Sequence, residues 1–181
     1  MSPTGYDELN YIITLEKEID QLEKEVKKYK RLSLIDNLTG LWNERKLKKD
    51  LKRYISIQYR DKINFTIALL DINNFKKIND KYGHEYGNKI LKKVGAILKN
   101  SIRQYENVYR LGSGADEFII ILSHSHYPKL AIDRILKKLK SKKIYVSVGY
   151  DLLGKDLKCT LRKIDKRMYY NKKESYEKRK K

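Results

Sequence analysis

From residue 12 onward, apolar side chains recur at Ile12, Leu15, Ile19, Leu22, Val26 and Tyr29, in alternating steps of three and four. This is the spacing of a heptad seam. Ile12, Ile19 and Val26 at a, with Leu15 and Leu22 at d, favour two parallel strands. The seam lasts only about two and a half heptads, and its flanking charges are mixed: Glu25 at g can meet Lys30 at e of a partner, but Glu18 would face Glu23. An amphipathic helix folded onto its own domain is the alternative; a parallel dimer helix is the favoured reading.

The pattern then changes. Residues 36–43 are turn-rich, and Asn43 can cap a helix running from Glu44 to about Ile57. Residues 63–70 are apolar and β-branched enough for a buried strand, and helices are predicted near 74–80 and 86–102. Ile90, Leu91, Val94, Ile97 and Leu98 mark the buried face of the second of these. Residues 108–111 and 117–122 read as two strands joined by the turn Gly112-Ser113-Gly114-Ala115, a hairpin. A helix near 127–140, a strand at 144–149 and a helix near 158–174 complete the order β-α-α-β-β-α-β-α. That order predicts an α+β fold, with an antiparallel-containing sheet flanked by helices. The expected organisation is an N-terminal helix over 1–35, a domain over 36–175 and a basic tail over 176–181.

Composition adds limits. With 40% hydrophobic residues, 2 Pro and 9 Gly in 181 residues, the chain can fill a core. Its longest uninterrupted apolar run, Phe118 to Leu122, is far short of the ~20 residues a membrane span needs. Met1-Ser2-Pro3 opens no apolar leader, and the single cysteine, Cys159, fits a reducing compartment; a cytoplasmic protein without membrane partners is the expectation. The net charge of +19 invites a nucleic-acid reading, but 32 lysines against 10 arginines are spread over the chain, whereas phosphate and base readers concentrate Arg. Residues 1–25 are acidic, with seven carboxylates against two lysines. The excess therefore reads as a solvated lysine-rich surface, with no specific nucleic-acid partner.

Candidate chemistry lies at strand ends. Asp71 follows the strand 63–70, and Asp116-Glu117 opens the strand after the hairpin. Converging carboxylates at strand ends suit a hard cation, although either site taken alone is better read as a turn or cap. The surrounding residues narrow this. Asp36-x-Leu38-Thr39-Gly40-Leu41-x-Asn43, then Asp71-Ile72-Asn73-Asn74-Phe75-Lys76-Lys77-Ile78-Asn79-Asp80, then Gly83-His84 with Gly87-Asn88, then Arg110-Leu111-Gly112 with Asp116-Glu117-Phe118, resemble in order and spacing the GGDEF family of diguanylate cyclases.

The resemblance implies a palm-like, ferredoxin-like domain that binds one GTP with Mg²⁺ or Mn²⁺. Two such domains would face each other as a homodimer and join two GTP into cyclic di-GMP, releasing two pyrophosphates. By similarity, Asp71, the carbonyl of Ile72 and Asp116 would hold the metal, with Glu117 supporting the metal site or taking the hydroxyl proton. Asp116 and Glu117 are thus the implied catalytic pair. Lys76 and Lys172 would contact phosphates, Gly112 would let backbone approach the nucleotide, and Asn79 and Asn88 would read the base. Arg103 and Glu106 occupy the place of a product-inhibition pair. His84 belongs to the Gly-His turn, Tyr169 and Tyr170 read as packing residues, and His124 and His126 as loop residues without a role.

Four departures from the family pattern bear on activity. The turn between Arg110 and Asp116 carries two extra residues, a length that preserves side-chain parity while loosening the glycine turn. Asn88 replaces a carboxylate; its amide both accepts and donates, which relaxes the choice of guanine over adenine. Tyr176 stands where the family has a second phosphate-binding arginine, and Glu106 replaces the Asp of the inhibition pair. A weak or lapsed cyclase acting as a nucleotide-binding or dimerisation module is the alternative function.

Overall fold

The computed structural model describes residues 5–112, 116–123 and 128–177, with side chains described for all of these except 5–7, 157 and 170–177. The chain divides into two compact units, residues 1–35 and 36–181. The first is α1 (Gly5–Leu32), one 28-residue helix. Its seam residues are solvent-exposed: Ile12 at 51%, Ile19 at 57%, Leu22 at 55% and Val26 at 48%. No helix among the described residues is long and apolar enough to cross a membrane.

The second unit is the predicted α+β domain. Its elements are β1 (Trp42–Asn43), α2 (Glu44–Asp61), β2 (Phe65–Ile72), α3 (Phe75–Tyr82), α4 (His84–Lys99), β3 (Asn107–Arg110), β4 (Glu117–Ser123), α5 (Pro128–Ser141), β5 (Val146–Leu152) and α6 (Leu157–Glu177). The strands form one sheet in the order β1-β3-β4-β2-β5, antiparallel except for the two-residue parallel pairing of β1 with β3.

Helices cover both faces of the sheet, which is why β4 reads as a continuous apolar run rather than an alternation. Phe118, Ile120 and Leu122 join Ala68, Leu70 and Ile72 in one core with Leu91, Val94 and Leu98 of α4 and Ile132, Ile135 and Leu139 of α5. Ile119 and Ile121 face the other way, into a second core with Ile67, Leu69, Leu47 and Leu51 of α2 and Ile164 of α6. Each such fully buried side chain contributes on the order of 1.5–3 kcal/mol. α6 lies so close to β5 that a Cβ at Gly149 would meet the Ile164 carbonyl oxygen and come within 3.0 Å of the Met168 amide nitrogen.

Several boundaries differ from those predicted. β2 runs to Ile72, so Asp71 lies inside the strand rather than after it, held there by partners on both sides: Glu117 in β4 and Ser147 in β5. β1 was not foreseen, because two residues carry no periodicity; Asn43 both pairs with Arg110 and caps α2, accepting the Lys46 amide proton at 3.1 Å. α4 ends at Lys99, where Ser101 turns its amide to Leu98 and its hydroxyl to the Ile97 carbonyl. Tyr169 is 56% exposed and lies outside the core, one step around α6 from Met168, which meets the second core. His124, His126, the turn residues 113–115 and the tail 178–181 lie outside the described residues, as do the side chains of Tyr170, Lys172 and Tyr176.

Candidate active site

The register of β2 against its neighbours gathers the acidic residues at one end of the sheet. Asp71 stands directly opposite Glu117 across the β2–β4 ladder. Strand alternation puts both on the face shared by Ile67, Leu69, Ile119 and Ile121. Asp116 precedes β4, and its carbonyl oxygen accepts the Ile72 amide proton at 3.3 Å. Like charges directly opposite on a ladder are destabilising, which marks the Asp71–Glu117 pair as a candidate for function. The donors available there are carboxylate oxygens and the Ile72 carbonyl, a hard, all-oxygen set that suits Mg²⁺ or Mn²⁺ and not a soft metal. No cluster of three His, Cys, Asp or Glu side chains occurs among the described residues. Two carboxylates and a carbonyl leave positions for water and substrate phosphate, which is how Mg²⁺ is usually held.

Next to this end, β2 passes into α3 through a fixed turn. Asn73 donates its amide proton to the Tyr145 carbonyl at 2.9 Å and accepts the Ser147 hydroxyl proton at 2.6 Å on Oδ1. Asn74 then takes a left-handed conformation, φ 58°, and Phe75 plugs the first core. Lys76 follows, exposed, in the first turn of α3.

α3 and α4 meet closely at Gly87, where a Cβ would run into Asn79 Oδ1 and come within 3.1 Å of the Phe75 ring. Asn79 Oδ1 is buried with no hydrogen-bond partner among the described residues. Exposed Asn88 follows Gly87 in α4, one residue along from the close approach to Asn79.

On the other side of the carboxylates is the β3–β4 hairpin. Pairing runs to Arg110↔Phe118, and the Leu111 amide donates to the Glu117 carbonyl at 3.0 Å, so five residues, Gly112 to Asp116, form the loop. Gly112 is exposed and left-handed, φ 59°. The stem below is firmly held. Arg110, 3% exposed, puts one guanidinium nitrogen 3.1 Å from both carboxylate oxygens of Asp36. Burial opposes the charge on Asp36, but hydrogen bonds from the Thr39 hydroxyl and amide, together with Arg110, outweigh it and hold the carboxyl below its ordinary pKa. On the second face, Tyr109 donates to Asp50 at 2.8 Å; burial, with Tyr54 and Asp50 alongside, pushes its phenol far up and keeps it a neutral donor.

A cavity of about 370 Å³ on the second face reaches Gly112 and Glu117, but its other walls include Leu47, Leu51, Ile67 and Ile119. Such a hydrocarbon lining is unsuited to a polyphosphate. Arg103 and Glu106 share one tight turn, yet only one side chain faces out. Arg103 is exposed and donates to the Tyr105 hydroxyl at 2.7 Å, whereas Glu106 is 8% exposed and accepts the Arg103 backbone amide at 2.8 Å.

Sequence reasoning did not single out Ser147 or Asn73, nor the bonding of Asp36 to Arg110. Each pair is 74 residues apart in sequence, and no local pattern announces such contacts.

Comparisons with known proteins identify the family of the domain. Residues 33–178 match the family model described as diguanylate cyclase, GGDEF domain. The chain is 38% identical over 105 residues to the diguanylate cyclase DgcS of Shewanella oneidensis, an alignment covering 58% of this chain and 35% of that protein. It is 38% identical over 117 residues to YhcK of Bacillus subtilis, with 64% and 31% covered. The chain thus spans about a third of the length of these relatives. Among solved structures, the coiled coil and GGDEF domain of DgcB from Caulobacter crescentus superposes with a TM-score of 0.82 at 20% identity, covering 91% of this chain and 93% of that one. A microbial GGDEF domain solved with cyclic di-GMP gives 0.68 at 26% identity, covering 77% and 92%. With its strands in the order described and the family model matching most of its length, the chain belongs to the GGDEF domain family.

Proposed function

We propose that the domain is one half-site of a diguanylate cyclase. The observation that carries this reading is the opposed pair Asp71 and Glu117, with Asp116 and the Ile72 amide joined at the same sheet end. Asp71, Asp116 and the Ile72 carbonyl would hold Mg²⁺ or Mn²⁺; a bound divalent ion supplies charge neutralisation at the phosphates. Lys76 and Lys172 would bind the triphosphate, and Asn79 with Asn88 would orient the purine. Glu117 would take the proton of a 3′-hydroxyl, whose oxygen bonds to the α-phosphorus of the facing GTP while the α–β phosphoanhydride breaks and pyrophosphate leaves. The same exchange in the opposite direction closes cyclic di-GMP. Such transfer depends on positioning more than on covalent help, so bringing two half-sites together is itself a large part of catalysis.

The exposed seam of α1 supports a parallel two-helix pairing that would raise the concentration of one half-site at the other. The reaction would take place in the cytoplasm. Purified protein incubated with GTP and Mg²⁺ should yield cyclic di-GMP by mass spectrometry. Absence of any cyclic product, with GTP or with ATP added, overturns the proposal.

One observation favours a second reading. The five-residue loop from Gly112 to Asp116 is long for a turn that must sit against a nucleotide. A lapsed domain would bind GTP in calorimetry and turn none over. Asn88 raises a narrower variant, a cyclase that also accepts adenine, recognised by an adenine-containing product when both nucleotides are supplied.

A further inference from the structure

We infer that Ser147 is a positioning residue for the cation-binding end of the sheet: through Asn73 it fixes the direction of the Ile72 carbonyl. This rests on the proposed half-site, in which that carbonyl is a ligand. The peptide joining Ile72 to Asn73 is trans, so its carbonyl points opposite to the Asn73 amide. That amide donates to Tyr145 of the segment leading into β5. The Ile72 carbonyl therefore points the other way, toward the β4 side. The Ile72 amide points there too, donating to the Asp116 carbonyl, as antiparallel pairing requires. One peptide plane thus aims an oxygen at the side where Asp116 and Glu117 lie.

Along the ladder this plane is the last of β2, which ends at Ile72 before Asn74 turns into α3. The Asn73 amide bond and the Ser147 hydroxyl bond at 2.6 Å are its anchors on the β5 side. Ser147 is 5% exposed and pairs with Asp71, on the face where α6 crowds β5. Alanine is no larger than serine, so the substitution asks for no extra room at this buried position. The hydroxyl is extra to packing, and it is spent on the turn. Partners one step removed from a metal ligand commonly cost 10–100-fold in metal affinity when removed.

The test uses the full chain and a fluorescent, non-hydrolysable GTP analogue. Ser147→Ala should raise the Mg²⁺ concentration needed for half-maximal analogue binding about tenfold. Binding in EDTA should be unchanged. Amide exchange at Asn73 in metal-free protein should quicken while the melting temperature moves little. Asn73→Ala, at a half-buried turn position, gives the same comparison should Ser147→Ala fold poorly, and the double variant should be no worse than Asn73→Ala alone. A Mg²⁺ midpoint within twofold of wild type, an equal loss with and without Mg²⁺, or multiplying effects in the double variant overturns the inference. So does GTP binding by the wild type that ignores Mg²⁺. Mg²⁺-dependent binding without cyclic product would defeat the cyclase proposal and leave this inference standing.

Discussion

Two turns deliver the acidic residues to the same end of the sheet, and they are built differently. The β2–α3 turn is short and tied down: Asn73 is bonded to Tyr145 and Ser147, Phe75 is buried in the core, and Asn74 alone takes the left-handed conformation. The β3–β4 turn is a five-residue loop closed by the Leu111–Glu117 bond, with left-handed Gly112 at its start. Its stem is rigid, pinned by Arg110 to Asp36 and by Tyr109 to Asp50. What separates the two is therefore confined to the tip. In the proposed site, the half contributed by β2 would be prearranged, whereas the half contributed by the hairpin has a fixed base and a loop two residues longer than the family pattern. If catalysis is impaired, the tip is where the impairment should lie.

The sharpest way to break this comparison is to remove a carboxylate from the prearranged side. Asp71→Asn should lower cyclic di-GMP formation by about 10³-fold, several kcal/mol of lost charge stabilisation, measured as initial rate at saturating Mg²⁺. The same change relieves the opposition to Glu117, so the metal-free variant should be as stable as the wild type or more stable by about 0.2–1 kcal/mol in urea unfolding. Loss of activity with no loss of stability separates a functional pair from a structural one.

Next in size is the stem. Asp36→Ala leaves Arg110 buried without its carboxylate, at a cost of about 3–5 kcal/mol in urea unfolding at pH 7. Because the folded pKa of Asp36 is depressed, its contribution is fully present above the unfolded value of ~3.9 and is lost as pH falls through the folded value. The wild type should thus lose stability on acidification in a window where the variant has less to lose. Their urea midpoints should converge below about pH 4.

A smaller effect tests base choice on the anchored side. Asn88→Asp replaces an amide that accepts and donates with an acceptor-only carboxylate facing the donors of guanine. The ratio of GTP to ATP affinity in competition binding should rise about tenfold, the size of one charge-assisted hydrogen bond. An unchanged ratio would mean that position 88 does not touch the base.

The main elements were legible in the chain because their signals are local and strong. The heptad-like spacing from Ile12, the Asn43 cap, the apolar runs of β2 and β4 and the 3.6-residue rhythm of Leu91, Val94 and Leu98 each fix an element from within a short window. What could not be read was pairwise and distant. β1 is two residues long and exists only because β3 lies beside it. Asp71 is inside β2 because Glu117 and Ser147 flank it, not because aspartate favours strands. Tyr169 read as a packing residue and is largely exposed, since α6 buries the positions on the stripe of Thr160 and Ile164. The acidic residues of the candidate site were picked out by their strand-end placement and the order of the motifs. The Ser147–Asn73 brace, made of ordinary polar residues 74 apart, was not.

The finest test acts on the hairpin tip itself. Deleting Ser113 and Ala115 leaves Gly112-Gly114 before Asp116, shortening the loop from five residues to three without changing which face Asp116 and Glu117 occupy, since two residues are one full period of a strand. The chain-entropy difference between such loops is small, about half a kcal/mol, so ordering the shorter tip around a nucleotide should be only a few-fold easier. Turnover should rise about twofold to threefold, and GTP affinity by a similar factor, with the melting temperature nearly unchanged because the Arg110–Asp36 pair below is untouched. A rise of 10²-fold or more would be too large for loop entropy and would mean that the long tip misplaces Asp116, making the natural chain a lapsed enzyme whose β2 side remains ready. A fall in turnover would mean that the added residues themselves shape the site, so that the anchored turn and the long hairpin form a matched pair.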